Sequence, residues 1–229
     1  MSRRRDEKRT KRPQARQRGV VLLYGESEND TKALKELLLG LKPSLATRVH
    51  TRREPIVLIK NARPEEVKPR AALIAKAVKA ERIRHEVQCV FVHEDCDAPE
   101  PAHEAACLKI ESSLKAEGCP AHAVVPAWEM EAWFFLWPEA VQSICPSWRL
   151  PDDYKGRDVG HIRNAKEELM RRVLPRGLSK HERQKVREYQ ESDAPSIARK
   201  VRERGEVNRP QGKSQSYARF RISVSACEP

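Results

Sequence analysis

Short, continuous apolar runs alternate with longer amphipathic segments along this chain, and that alternation predicts an α/β architecture. Val20-Val21-Leu22-Leu23-Tyr24 is apolar at every position, as expected of a strand buried on both faces of a parallel sheet. Leu34, Leu37, Leu38 and Leu41 follow with i, i+3, i+4, i+7 spacing, which describes one face of a helix. Ile56-Val57-Leu58-Ile59 predicts a second strand, and Pro64 opens a helix carrying Val67, Ala71, Ile74 and Val78. Val87 to Val92 predicts a third strand, followed after Pro99 and Pro101 by a helix through Leu108, Ile110 and Leu114. Ala121 to Val125 predicts a fourth strand. The expected fold is a mostly parallel four-stranded sheet with helices on both faces and right-handed crossovers. Beyond Pro126 the pattern turns helical, with segments over Met130 to Leu136 and near 161–174, 194–204 and 214–224, broken by a Pro-Asp-Asp loop at 151. Residues 19–126 are thus expected to form the α/β core and 127–229 a helical part packed on it.

Charge adds a third region. The chain of 229 residues carries a formal net charge of +12, and residues 1–18 hold nine basic and two acidic side chains, or +7 of that total. This stretch has no periodicity, so a disordered basic arm is expected there, either solubilising or bound to nucleic acid. Its candidate phosphate contacts are Arg3, Arg4, Arg5, Lys8, Arg9, Lys11 and Arg12, joined by Arg199 and Lys213 from the helical part. No stretch approaches the roughly 18 apolar residues needed to span a bilayer, and no apolar segment backs the charged start, so a cytoplasmic protein without membrane contact is expected. Six cysteines without a CxxC spacing are read as reduced thiols.

The candidate chemistry lies at the predicted strand ends, where ligands gather in parallel sheets. Glu26 follows the first strand, and Asp95 and Asp97 follow the third. An Asp-x-Asp pair in extended chain sets both carboxylates on one side, an arrangement that suits a hard cation such as Mg²⁺, and without a cation the three acids would repel one another. Glu94 is expected to point to the opposite face and stands outside the set. His93, His103 and His122, with Cys96 or Cys107, match no recurrent zinc spacing. Trp128, Trp133, Trp137 and Trp148 are expected to pack the helical layer onto the sheet.

Gly25-Glu26-Ser27-x-x-Asp30 after one strand and Asp95-x-Asp97 after another resemble the TOPRIM domain of topoisomerases, primases, repair proteins and certain nucleases. Val125-Pro126-x-x-x-x-Glu131-Ala132-Trp133, Tyr189-x-x-Ser192-Asp193-x-Pro195-x-Ile197-Ala198 and Ser214-x-Ser216-x-x-x-Phe220 extend the likeness over residues 19–224, to the TOPRIM-like domain-of-unknown-function family 4276. The resemblance implies that Asp95 and Asp97 ligate Mg²⁺ or Mn²⁺. Glu26 then completes the shell through water or acts as general acid/base. Glu131 becomes a further ligand or a sheet-edge anchor, the alternative being an acidic helix start favoured by the helix dipole. No separate gate domain with a nucleophilic Tyr, as a topoisomerase needs, and no primase-type zinc segment is recognisable. The implied activity is therefore a metal-dependent nuclease acting on DNA or RNA, as the effector of a phage-defence or toxin module. The alternative is a regulatory subunit that binds nucleic acid or nucleotide without cleaving it. Relatives of this kind are often encoded beside ABC-type ATPases, which implies an ATPase partner, since the chain has no GxxxxGK[ST] loop of its own.

Overall fold

A computed structural model describes residues 17–52, 57–150, 152–175, 177, 179, 181 and 186–227. The basic arm, with Arg3 to Arg12, lies outside the described residues. Four parallel strands form one sheet in the order β2-β1-β3-β4: β1 is Gln17–Tyr24, β2 Val49–Thr51, β3 His85–His93 and β4 His122–Val124. Central β1 pairs Val21 with Val49 on one side and with Cys89 on the other, and its last residue, Tyr24, pairs with Val92.

Both faces of β1 are covered, which is why its sequence is apolar throughout. Val20, Leu22 and Tyr24 pack beneath α2 (Pro64–Arg84) and α3 (Ala102–Ala116) with Val67, Ile74, Val78, Ile110 and Leu114. Val21 and Leu23 face the other way, into a larger core shared with α1 (Glu28–Leu41) and the C-terminal helices. Those helices are α4 (Glu131–Phe134), α5 (Pro138–Gln142), α6 (Ala165–Arg172), α7 (Ala194–Glu203) and α8 (Gln215–Ala226). Trp133, Trp137 and Trp148 are fully buried in this layer, and each indole N–H finds an acceptor: Ser216 Oγ, the Glu206 carbonyl and the Arg187 carbonyl. A buried indole carries a large apolar area at the cost of one polar atom that needs a partner, and all three meet that condition.

The second strand does not lie where the apolar run predicts it. Val57–Ile59 form an irregular loop, Ile56 is outside the described residues, and β2 is the shorter Val49–Thr51. Leu58 is nevertheless fully buried, so the run is apolar because it plugs the core, not because it pairs with a strand. Its backbone donors go elsewhere. The amides of Leu58, Ile59 and Lys60 all donate to the carboxylate of Glu94, itself buried just past β3. The cysteines also depart from expectation: Cys89 on β3 and Cys227 after α8 form a disulfide with Cα atoms 5.9 Å apart, while Cys96, Cys107, Cys119 and Cys145 are free. A sequence separation of 138 hides the bonded pair from any spacing rule. Among the described residues no helix is long and apolar enough to cross a membrane.

A second buried carboxylate anchors the last helix. Glu100 accepts the Gln215 and Ser216 amides at 2.7 and 2.9 Å and the Ser214 and Ser216 hydroxyls at 2.8 and 2.9 Å, placing a negative charge on the N-terminus of α8. Burial alone would raise its pKa, but these four donors together hold it below the ordinary 4.5. Gly160 makes room, because a Cβ there would overlap the Glu100 carboxyl. Glu100→Ala is expected to lower the unfolding free energy in urea by roughly 2–4 kcal/mol, the cost of stranding several buried donors. Gly160→Ala should lose a comparable amount. A depressed folded pKa stabilises above the unfolded value, and that contribution is lost as pH falls through the folded one. The gap between wild type and Glu100→Ala should therefore narrow below pH 4.5.

Candidate acidic site

Adjacent parallel strands bring the loops after β1 and β3 together. Gly25 turns the chain after Tyr24, and a Cβ there would meet Thr31 Cγ2 at 2.5 Å. Ser27 then caps α1, its Oγ accepting the Asp30 amide at 3.1 Å and donating to Asp30 Oδ2 at 2.6 Å. Between turn and cap, Glu26 reaches across to β3, where its Oε2 accepts the Asp95 amide at 3.1 Å. Asp95 Oδ1 in turn accepts the Met130 amide at 3.1 Å, which fixes the segment leading into α4. The extension past β3 runs beside that past β4, through hydrogen bonds from the Glu94, Cys96 and Asp97 amides to Val124, Pro126 and Trp128 carbonyls.

Glu26, Asp30, Asp95, Glu129, Glu131 and Glu191 line one cavity of about 220 Å³, together with Ser27, Lys60 and Lys166. Six carboxylates thus face two ammonium groups. Asp97 is not among the lining residues. It sits in the left-handed region at φ 52°, half-exposed, and meets the site through Lys60, whose Nζ lies 2.8 Å from Glu26 Oε1 and 3.1 Å from Asp97 Oδ2. Glu26 and Asp95 therefore meet directly and Asp97 is linked by an ammonium. Arg199 lies outside the cavity against Glu36, 3.5 Å away, and Lys213 is exposed on the segment before α8.

Burial and crowding of like charge set the titration of the site. Burial pushes Asp95 up, and neighbouring Asp30 and Glu26 add to the push. Burial would lower His93, but Asp95 at 3.5 Å, backed by Asp30 and Glu26, overrides it and holds the imidazole up at about 9. The pair therefore keeps a proton through neutral pH. Burial would also lower Lys60, and its contacts with Glu26 and Asp97 reverse that, so the ammonium stays charged. Glu131, at the start of α4, is pushed up to about 7 by burial, partly offset by the Tyr189 hydroxyl, which donates to Oε1 at 2.8 Å.

A different group meets the closer geometry of metal binding. Among the described residues, His50, Glu81 and His85 form the set of His, Cys, Asp or Glu side chains whose ligand atoms all lie within 4.8 Å of one another, and this group could hold a metal ion. Glu26, Asp95 and Asp97 do not form such a set.

Sequence reading missed Lys60, Lys166, Glu129 and Glu191. Glu129 carried a signal, sitting two residues before Glu131, and Lys60 directly follows the apolar run. Lys166 and Glu191 carried none, since each arrives from a distant helical segment. No family model, no curated protein and no solved structure matches this chain.

In EDTA, ionisation of Glu131 is expected to cost stability. Its folded pKa is above the unfolded one, so stability present below pH 4.5 is lost as pH rises through about 7. The loss is on the order of 2 kcal/mol for a shift of this size in a mostly buried group. Glu131→Gln should remove that part of the slope in urea denaturation between pH 5 and 8. Equal slopes in both proteins would show that Glu131 titrates normally.

Proposed function

We propose that this chain is a Mg²⁺- or Mn²⁺-dependent nuclease of the TOPRIM type, with Glu26 and Asp95 as the central pair. The observation that carries this reading is the charge excess of the cavity: six carboxylates against two lysines, gathered beside the carboxyl ends of β1 and β3. Carboxylates packed this way repel unless a cation joins them, and an all-oxygen donor set suits a hard dication that keeps several waters. Glu26, Asp95 and Glu131 would hold it, their oxygens closing up around the ion because they do not already lie within 4.8 Å of one another. When bound, the ion supplies Lewis acidity toward a phosphodiester oxygen and an acidified water.

The side chains have separable tasks. Glu26 is fixed by the Asp95 amide at one oxygen and by Lys60 at the other, so it faces the cavity in one orientation. His93 lies beneath Asp95 with Nε2 3.5 Å from Oδ1, and its charge opposes the upward push that burial gives the Asp95 carboxyl. Lys60 and Lys166 are the cations at hand for a phosphate entering an otherwise acidic cavity. The excess positive charge of the chain, concentrated in residues 1–18, favours a nucleic acid over a small phosphate ester. The family likeness further implies service in a phage-defence or toxin module with an ABC-type ATPase, since a chain without a phosphate loop leaves ATP-driven steps to a partner.

Incubation with plasmid, single-stranded DNA and structured RNA in Mg²⁺ or Mn²⁺ should give cleavage that EDTA abolishes. Asp95→Asn and Glu26→Gln should each lower the rate by at least about 100-fold, as loss of a group acting on the reacting centre does. Asp97→Asn, more remote from the cavity, should cost less. Intact substrates under every condition, with salt-sensitive binding retained, would instead assign the chain a binding role.

A further inference from the structure

His50, Glu81 and His85 reach one point from three elements. His50 lies mid-way along edge strand β2, in register with Leu22 of β1. Glu81 closes the last turn of α2, and His85, four residues on, begins β3. The i, i+4 spacing puts Glu81 and His85 on one face of the helix end, with Glu81 Oε2 and His85 Nε2 3.7 Å apart. The two imidazoles meet edge to face, with centroids 5.0 Å apart. None of the three lines the acidic cavity.

Two further features mark this as more than a histidine–glutamate contact. The Arg52 guanidinium holds the other carboxylate oxygen of Glu81, Oε1, which leaves Oε2 turned toward His85. Outer-shell partners of this kind orient ligating carboxylates in metal sites. His85 turns Nε2 to Glu81, while its Nδ1 is buried without a hydrogen-bond partner among the described residues. Two imidazoles and one carboxylate are a borderline donor set: they suit Zn²⁺, Co²⁺ or Ni²⁺ far better than Mg²⁺, which prefers oxygen alone. Three protein ligands leave one tetrahedral position for water.

We infer that His50, Glu81 and His85 form a binding site for a single Zn²⁺-class cation, separate from the acidic cavity. Such an ion clamps edge strand β2 to the corner where α2 turns into β3. Its ligands are contributed from positions 50, 81 and 85, so its energy of binding adds to the stability of that edge of the sheet.

The test is titration of the EDTA-treated, dialysed full-length protein, in excess Mg²⁺ that occupies the acidic cavity, with Zn²⁺ by calorimetry and with Co²⁺ by visible absorption. One equivalent should bind in the micromolar range or tighter, Co²⁺ should give the intense visible bands of a four- or five-coordinate site, and Zn²⁺ should raise the melting temperature. His50→Gln, Glu81→Gln and His85→Gln should each weaken binding by at least about 100-fold, beyond the 10–100-fold typical of outer-shell changes. Asp95→Asn should bind Zn²⁺ like wild type, which separates this result from any outcome for the proposed nuclease. If a variant fails to fold, histidine ¹H–¹⁵N spectra of wild type still decide, because Zn²⁺ must shift the His50 and His85 ring signals. Absence of one-equivalent binding, thiolate-to-cobalt absorption in the near ultraviolet, or loss of binding in Asp95→Asn alone overturns the proposal.

Discussion

A carboxylate that leaves water must find hydrogen-bond donors or a cation, and much of this fold is organised around acids that have done so. Glu94 collects the amides of Leu58, Ile59 and Lys60, and Glu100 collects the first amides of α8. Glu26 takes the Asp95 amide across the boundary between β1 and β3. Each replaces a backbone partner that the chain would otherwise lack at the edge of a regular element.

This has a direct bearing on the acidic cavity. By gripping three consecutive amides, Glu94 sets the position of Lys60, and Lys60 bridges Glu26 to Asp97. A residue set aside as pointing away from the chemistry thus places the cation nearest to it. Likewise, Asp95 has His93 below it at 3.5 Å and accepts the Met130 amide from the side, which ties the segment past β3 to the start of α4. Glu131 lines the same cavity, braced by the Tyr189 hydroxyl, and the buried Trp148 packs against the Tyr189 ring.

Helices, the strand at Val20–Tyr24 and the one ending at His93 were legible because their patterns report burial directly: a strand covered on both faces must be apolar throughout, and a one-sided helix must repeat every three or four residues. The run at 56–59 misled for a physical reason. Apolar character records that Leu58 is buried, not where its amide goes, and the amide goes to Glu94. The true β2 shows only Val49 buried among His50 and Thr51, a pattern too short and too polar to stand out. The Cys89–Cys227 bond was invisible for the same kind of reason, since proximity across 138 residues is a property of packing.

What the sequence by itself determined is the class of fold, the strand ends at which Glu26 and Asp95 stand, and the excess of basic charge, because these follow from local periodicity and composition. Only the tertiary structure decided that Lys60 stands between Glu26 and Asp97, that six acids share one cavity, and that His50 meets Glu81 and His85. Those outcomes depend on which loops a sheet order of β2-β1-β3-β4 brings side by side. Contacts of that kind arise from crossover connections and desolvated hydrogen bonds between distant segments, which no residue spacing records.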